Sequence, residues 1–235
     1  MAVLLVRCGG MQNAHNLQFE TKSAVVKSQV TGGKASGRGP PEAYSRSDKA
    51  RRLDAESSFA VHDAQCFNQW MLDVRDEKPE DRESVYQVVS SAFGGAAEAA
   101  LVDQLRGDGD AVFSLVAEED GLIVGHVLLS RMAAPFPALA LAPVSVIPSR
   151  QRRGIGSMLV EGAVSRARRE GWAALFVLGD PHYYARFGFS VEAAAGFASP
   201  YAGQHFMVLP LGSPLAATTG ELRHALAFGA LGSGG

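Results

Sequence analysis

A turn rich in glycine and arginine, between a predicted strand and a predicted helix, carries the clearest chemistry in this chain. It spans residues 144–157, VSVIPSRQRRGIGS. Backbone N–H groups at a helix N-terminus carry partial positive charge, and Gly154 and Gly156 would let a phosphorylated ligand approach the main chain closely. Permanent positive charge suited to phosphate oxygens comes from three arginines, Arg150, Arg152 and Arg153. The stretch therefore predicts an anion-binding cradle.

The spacing of these residues excludes two common phosphate loops. A Walker A loop needs Gly-x4-Gly-Lys-Ser/Thr and a dinucleotide fingerprint needs Gly-x-Gly-x-x-Gly, whereas residues 151–156 read QRRGIG. That run matches Gln/Arg-x-x-Gly-x-Gly/Ala, and Tyr184-x-x-x-Gly188-Phe189 follows in the expected order. With these two motifs the chain resembles the GNAT superfamily of acetyl-CoA-dependent N-acetyltransferases over about residues 71–211. Within that superfamily it is most similar in type to the predicted N-acetyltransferases of bacteria.

The resemblance implies two coenzyme contacts. The main chain of Val144 and Val146 would hydrogen-bond the pantetheine arm where the strand splays from its neighbour, and Pro143 fits that break because proline cannot donate to a strand ladder. The diphosphate would lie on the loop and helix start, with Ile155 packing inward while its backbone contributes. These residues are Gln151, Arg152, Arg153, Gly154, Ile155, Gly156 and Ser157.

The resemblance also implies the chemistry. Direct attack of a neutral primary amine on the thioester of acetyl-CoA needs a proton for the leaving thiolate and no covalent enzyme intermediate. A phenol with a pKa near 10 suits that donation, so Tyr184 is predicted to be the general acid. Tyr183 is the competing candidate, and a purely structural pair of tyrosines is a third reading. A main-chain N–H near Val146 would hold the carbonyl oxygen.

The general base is left open. Glu118 and His126, in two predicted hairpin strands, and Glu98, on a predicted helix, are candidates that are equally compatible with ordinary polar positions. His182 could titrate near neutrality but reads as a surface residue. Phe187 and Phe189 are predicted to be core residues.

Hydrophobic periodicity and turn residues predict a single α/β domain with the order β-α-α-β-β-β-α-β-α-β-β. The fold class is a central mixed, twisted sheet of six or seven strands with splayed middle strands and helices on both faces. Strands are predicted over residues 71–75, 112–118, 122–131, 138–147, 174–178, 190–192 and 205–211. Helices are predicted over residues 79–93, 96–106, 154–170 and 181–187.

Composition divides the chain into three parts. Residues 1–70 are predicted to be a disordered extension, because the stretch 31–54 is dense in Gly, Pro, Ser and alternating charge. Residues 71–211 are predicted to be the N-acetyltransferase domain that the resemblance implies. Residues 212–235 are predicted to be a C-terminal extension with room for one added strand and a frayed glycine-rich end.

Charge and cysteine content limit the classes of partner that this protein is expected to bind. The formal net charge of −2 offers no general attraction to nucleic acid, and residues 71–235 carry thirteen basic and eighteen acidic residues. No apolar run reaches the length of a membrane span, and no metal-ligand spacing is visible. Cys8 and Cys66 read as reduced thiols. We therefore expect a cytoplasmic protein without metal, membrane or nucleic-acid partners.

Three functions compete at this point. The leading one is an N-acetyltransferase that uses acetyl-CoA as co-substrate and takes an amine-bearing second substrate. The second is an acyl-CoA-binding sensor or partner-binding module without turnover, which would not need a phenol at position 184. The third, a nucleotide or nucleic-acid binder, lacks the lysine of a phosphate loop. Acceptor choice would fall to residues 79–110 and 195–235, and a homodimer is compatible with the resemblance.

Overall fold

The computed structural model describes residues 72–212 and 214–232, so the disorder predicted for residues 1–70 lies outside the described residues. The strands are β1 Leu72–Asp76, β2 Ala111–Glu119, β3 Leu122–Met132, β4 Ala138–Val146, β5 Ala174–Leu178, β6 Phe197–Ala198, β7 Phe206–Pro210 and β8 Gly220–Glu221. The α-helices are α1 Arg82–Phe93, α2 Ala97–Gly107, α3 Ile155–Arg169, α4 Pro181–Tyr184 and α5 Val191–Ala194. Short 3₁₀ turns cover Pro79–Asp81, Pro148–Arg150, Ala185–Phe187 and Leu226–Gly232.

Six strands form one mixed sheet in the order β1-β2-β3-β4-β5-β7. All neighbours are antiparallel except β4 and β5, which are parallel and are connected through α3. The turn between β2 and β3 follows from Asp120 and Gly121, which have φ angles of 54° and 77°, as a tight hairpin turn requires. The predicted fold class is confirmed.

The sheet carries one hydrophobic core on each face. Residues of α1 and α2, such as Val85, Leu101 and Leu105, pack on one face with Phe176 and Phe206 of the sheet. The α3 residues Leu159, Val160, Ala163 and Ala167 pack on the other face. This matches the apolar stripe that helical spacing predicts for α3. Helices therefore cover both faces, as predicted.

The strands β4 and β5 separate after a short paired segment. Their pairing covers only Ala138–Ala140 against Ala174–Phe176. Between Leu141 and Val144 the β3–β4 register also shifts, which places a bulge at Pro143. Proline removes a ladder donor and is tolerated at such an irregularity. The bulge predicted as one reading of Pro143 is confirmed in the β3–β4 pairing, and the β4–β5 pairing has already ended at Ala140 and Phe176.

The strand predicted over Ser190–Glu192 is wrong. Ser190 is the N-cap of α5, because its Oγ accepts a hydrogen bond from the N–H of Ala193 at 3.1 Å and donates to Glu192 Oε2 at 2.8 Å. Ser190 keeps a single bridge to Val208 of β7. A capping hydroxyl followed by an acidic residue in the first turn favours a helix. Here this capping outweighs strand pairing, so the segment forms α5 and not a strand.

The C-terminal segment packs on the α1–α2 face. Its strand β8 pairs in parallel with β6, and Arg223 bridges to Ala133 just after β3. Ala227 and Phe228 belong to the same core as Leu105 of α2. None of the helices within residues 72–212 and 214–232 is long and apolar enough to cross a bilayer.

His224 of this segment makes stability depend on pH. Its ring contacts Tyr201 at 4.8 Å, Phe228 at 5.5 Å and Phe206 at 6.2 Å between centroids, and burial lowers its pKa to about 4. The unfolded chain protonates His224 near pH 6.5, so the folded state loses stability as pH falls from 6.5 towards 4.

We expect His224→Phe to reduce this acid sensitivity. Between pH 7.5 and 5 the fall in Tm should be smaller in the variant by about 4 to 8 °C, the equivalent of about 2 kcal/mol at most. Thermal melts at the two pH values measure it, with His182→Gln as control because His182 is exposed. An equal fall in Tm in His224→Phe and the wild type would refute the assignment.

Candidate active site

A cavity of about 260 Å³ lies at the end of β4, where the strand meets the start of α3. One wall comes from Val146 at the strand end and the other from Tyr183 and Arg186 beyond β5. Seven of the nine residues predicted to contact coenzyme line it: Val146, Gln151, Arg152, Gly154, Ile155, Gly156 and Ser157. Val144 and Arg153 are not among its lining residues.

The helix start has the geometry of an anion cradle. Gly154 caps α3 with a φ of 84°, and a Cβ added there would meet nothing within 4 Å, so this side of the loop is open to a ligand. The N–H groups of Ser157 and Met158 already donate to Gly154 O, at 2.9 and 3.1 Å. Helix geometry leaves the N–H groups of Ile155 and Gly156 without an intrahelical acceptor. Ile155 also packs inward, with 2% of its surface exposed.

Main-chain groups of β4 point into the gap where β4 separates from β5. The N–H of Ile147 donates to Val124 O of β3 at 3.0 Å, and antiparallel strands alternate the direction of their hydrogen bonds. Val144 and Val146 therefore direct their N–H and C=O groups away from β3, towards the gap beside β5. The carbonyl of Val146 accepts a hydrogen bond of 3.0 Å from Gln151 Nε2. This contact ties the cradle loop to the strand end.

The arginines of the loop have different partners. Arg150 Nε is hydrogen-bonded to the buried carboxylate of Glu119, and Arg153 Nη2 lies 3.4 Å from the other oxygen of Glu119. Arg152 has a φ of 62° and lines the cavity. Glu119 thus fixes Arg150 and Arg153 at the end of β2, and both Arg150 and Arg152 line the cavity.

The two adjacent tyrosines occupy different environments. Asp180 caps α4 by accepting a hydrogen bond from the N–H of His182 at 2.9 Å, as its sequence predicts. Tyr183 lines the cavity, whereas Tyr184 is fully buried. The Tyr184 ring packs directly against Gly179 at the end of β5, where an added Cβ would lie 2.5 Å from Cε2. Tyr184 is therefore packed tightly at the end of β5, in the hydrophobic core that also contains Val144 and Val146 of β4.

A family model for the Acetyltransferase (GNAT) family matches residues 82–189. The chain is 37% identical to the uncharacterized N-acetyltransferase YjhQ of Escherichia coli K12 over 130 residues, which cover 52% of this chain and 71% of YjhQ. The chain belongs to the GNAT acetyltransferase family. Acyl transfer from a coenzyme A thioester is therefore its class of chemistry.

Further relatives agree with this GNAT assignment. The uncharacterized N-acetyltransferase YhbS of Escherichia coli K12 is 34% identical over 124 residues, covering 51% of this chain and 74% of YhbS. A crystal structure of YhbS in complex with CoA superposes with a TM-score of 0.64 at 30% identity, covering 67% of this chain and 92% of that chain. A crystal structure of a GNAT family acetyltransferase from Brucella melitensis in complex with acetyl-CoA superposes with a TM-score of 0.58 at 32% sequence identity. The superposition covers 67% of this chain and 98% of that chain.

The base candidates of this GNAT domain lie in separate environments. His126 is fully buried, with Nε2 2.8 Å from Ser114 Oγ and 3.5 Å from Glu77 Oε2, and burial lowers its pKa. Glu118 is ion-paired with Arg75 at 2.6 Å. Glu98 lies half-buried on α2. The structure therefore does not bring the three candidates together.

Glu77 holds His126 in its network. Burial by itself raises the pKa of Glu77, but hydrogen bonds with His126, Ser114 and Arg106 outweigh it and lower the pKa to about 2. Arg106 contacts both carboxylate oxygens, at 2.6 and 2.7 Å. Glu77 is therefore ionised at neutral pH beside a neutral His126. Such a network is consistent with a structural role.

Three residues near the cavity were missed by sequence reasoning. Glu119 ends β2 as one of two adjacent glutamates, and nothing local shows that it reaches the cradle 31 positions later. Gly179 stands between a strand and a helix, where a close approach could have been suspected. Arg186 lies inside the second motif and stacks over Tyr183 at 4.0 Å and Phe187 at 4.9 Å. Phe189 is a core residue as predicted, but Phe187 is partly exposed.

The two segments predicted to select the acceptor do meet. Val102 and Leu105 from residues 79–110, together with Phe197 and Phe228 from residues 195–235, belong to one hydrophobic core. Both segments therefore build the same face of the sheet.

Proposed function

We propose that this protein transfers an acetyl group from acetyl-CoA to a primary amine by direct attack. The observation that carries the proposal is the junction of two features at one end of β4. A strand gap with inward-directed main-chain groups at Val144 and Val146 adjoins a helix start with free N–H groups and an open glycine at 154.

The described residues fit a coenzyme A thioester at this junction. The N–H groups of Ile155 and Gly156 and the side chain of Arg152 suit the diphosphate. The main chain of Val144 and the N–H of Val146 suit the amides of the pantetheine arm, which would take the place of a missing strand. Arg153 is assigned to the electrostatic surroundings, because it pairs with Glu119.

The reaction exchanges one covalent bond and includes three proton transfers. The amine nitrogen forms a bond to the acetyl carbonyl carbon, and the carbon–sulfur bond breaks. The sulfur leaves as a thiolate and takes a proton from the Tyr184 hydroxyl. The amine loses a proton to solvent, and a proton from solvent then restores the phenol. The protein supplies position and charge stabilisation, and no acyl-enzyme forms.

Tyr184 is the group that we assign as general acid. Its ring is fixed between Gly179, Tyr183 and Phe189, with ring centroids 5.0 and 5.5 Å from the latter two. Phe189 and Gly188 complete the motif, and Gly188 closes the turn with a φ of 92°. A rigidly packed phenol at the strand gap meets the positional demand of proton transfer.

A screen of amine acceptors tests the proposal. Purified protein is incubated with acetyl-CoA and, separately, with small-molecule amines, aminoglycosides, peptides with free N-termini and peptides with internal lysine. We expect at least one class to release CoA in a one-to-one ratio with acetylated product. Saturable binding of acetyl-CoA with no product from any class would favour the non-catalytic sensor instead.

A further inference from the structure

A buried carboxylate at the end of β2 lies against the cradle loop. Glu119 is the last residue of β2, and its side chain is 6% exposed. Its Oε2 accepts a hydrogen bond from Arg150 Nε, and its Oε1 lies 3.4 Å from Arg153 Nη2. Burying a carboxylate is costly unless charged partners compensate it, and these two arginines do so. The three side chains therefore form one unit that joins β2 to the loop.

Arg150 is the member of this unit that reaches the cavity. It is a lining residue, and its side chain is 34% exposed. A guanidinium is planar and presents its N–H donors in a fixed fork. Because Glu119 holds Nε, it also sets the direction of the donors on Nη1 and Nη2. A ligand in the cavity would therefore meet an arginine whose orientation is already fixed.

The backbone beneath Arg150 is fixed as well. Its N–H donates to Ile147 O at 2.9 Å, and the N–H of Ile147 donates to Val124 O of β3 at 3.0 Å. The main chain and the guanidinium are thus both held before any ligand arrives. A free arginine side chain would lose rotamer freedom on binding an anion, and a preorganised one avoids most of that loss.

We propose that Glu119 is a positioning residue that acts through Arg150, orienting its guanidinium towards the diphosphate of a coenzyme A thioester in the cradle. This inference rests on the proposed function, because it requires the diphosphate to occupy the cavity. Glu119 has two opposing effects on an anion there: its charge repels the anion, and its hydrogen bond prepares Arg150 for it. Positioning is the larger effect, because two arginines already offset the charge of Glu119.

The affinity of Glu119→Gln for acetyl-CoA, measured by calorimetry, tests this inference. Glutamine keeps the size of the side chain but replaces a charge-assisted hydrogen bond by a neutral one, so Kd should rise about tenfold. With an accepted amine, KM for acetyl-CoA should rise while kcat stays close to the wild-type value. Repulsion alone predicts the opposite sign, because removing a negative charge would then tighten binding.

Glu118→Gln is the matched control. Glu118 is the neighbouring glutamate on β2, and it pairs with Arg75 at 2.6 Å. Arg75 is not among the lining residues of the cavity. Successive side chains of a strand point to opposite faces, so this variant removes a similar ion pair away from the loop. Its affinity for acetyl-CoA should equal that of the wild type.

A double-mutant cycle with Arg150→Gln separates positioning from a general structural role. Arg150→Gln alone should weaken binding about tenfold, and adding Glu119→Gln should then change it little, because the arginine through which Glu119 acts is gone. Should Glu119→Gln melt below the assay temperature, Arg150→Lys tests the same contact. Lysine keeps the charge but lacks the planar fork, so its Kd should also rise about tenfold.

The outcomes separate this inference from the proposed function. Unchanged or tighter binding in Glu119→Gln, a full further loss when it is added to Arg150→Gln, or wild-type affinity in Arg150→Lys would overturn the role of Glu119. Each of these results would leave the cradle standing, since the wild type still binds. Absence of acetyl-CoA binding by the wild type would overturn the proposed function and this inference together.

Discussion

Replacing Tyr184 by phenylalanine should lower kcat for acetyl transfer by about 10²- to 10⁴-fold, the usual contribution of a positioned acid. The substitution removes only the hydroxyl, so the ring contacts with Gly179, Tyr183 and Phe189 are kept. The KM for acetyl-CoA should change little, because the cradle and the strand gap are untouched. Steady-state kinetics on an accepted amine measure both constants.

Tyr183→Phe is the matched control for this experiment. Tyr183 is adjacent in the chain and lines the cavity, but we do not assign it to proton transfer. Its loss should leave kcat within about tenfold, since a peripheral hydrogen bond contributes roughly 0.5–1.5 kcal/mol. If Tyr183→Phe loses the activity and Tyr184→Phe retains it, the acid is Tyr183 and our assignment fails.

Gly154→Glu should weaken acetyl-CoA binding by about 100-fold or more. The new side chain would project from the open face of the cradle and place a carboxylate against the diphosphate, where like charges a few ångströms apart repel by several kcal/mol. The residue would also have to keep a φ of 84°, which costs a side-chain-bearing residue about 1–2 kcal/mol of folding free energy. Calorimetric titration and thermal melts separate the two effects.

Gly171→Glu provides a control with the same backbone problem. Gly171 follows the C-terminal end of α3 with a φ of 78°, and an added Cβ there would also meet nothing within 4 Å. Both variants should lose comparable stability, but only Gly154→Glu should lose acetyl-CoA affinity. Equal affinities in the two variants would show that the coenzyme does not lie on the α3 N-terminus.

Features set by neighbouring residues were predictable from the sequence. Asp120-Gly121 closes a hairpin because both positions need positive φ, and Asp180-Pro181 starts a helix because a carboxylate caps the N–H of residue 182. The bulge at Pro143 follows from its missing backbone donor. The cradle itself was predictable for the same reason, since its glycines and helix start are contiguous.

Contacts between distant residues were not predictable. Nothing local indicates that Glu119 holds Arg150 and Arg153, because that pairing depends on where β2 ends relative to the loop. The contact of the Gln151 side chain with the Val146 carbonyl spans only five positions, but it depends on the turn that the backbone makes between them. The sequence also does not distinguish the two adjacent tyrosines, because they are the same residue type. Only the packing of α4 shows that Tyr184 is buried and that Tyr183 lines the cavity.

The most direct test of the account follows the acetyl group itself. Protein, isotope-labelled acetyl-CoA and an accepted amine are mixed in a single turnover, and mass spectrometry follows label on the amine and on the protein. We expect label on the amine nitrogen in step with CoA release, none on the protein, and no CoA release without amine. Label on the protein ahead of the amine, or CoA release that needs no amine, would contradict direct transfer.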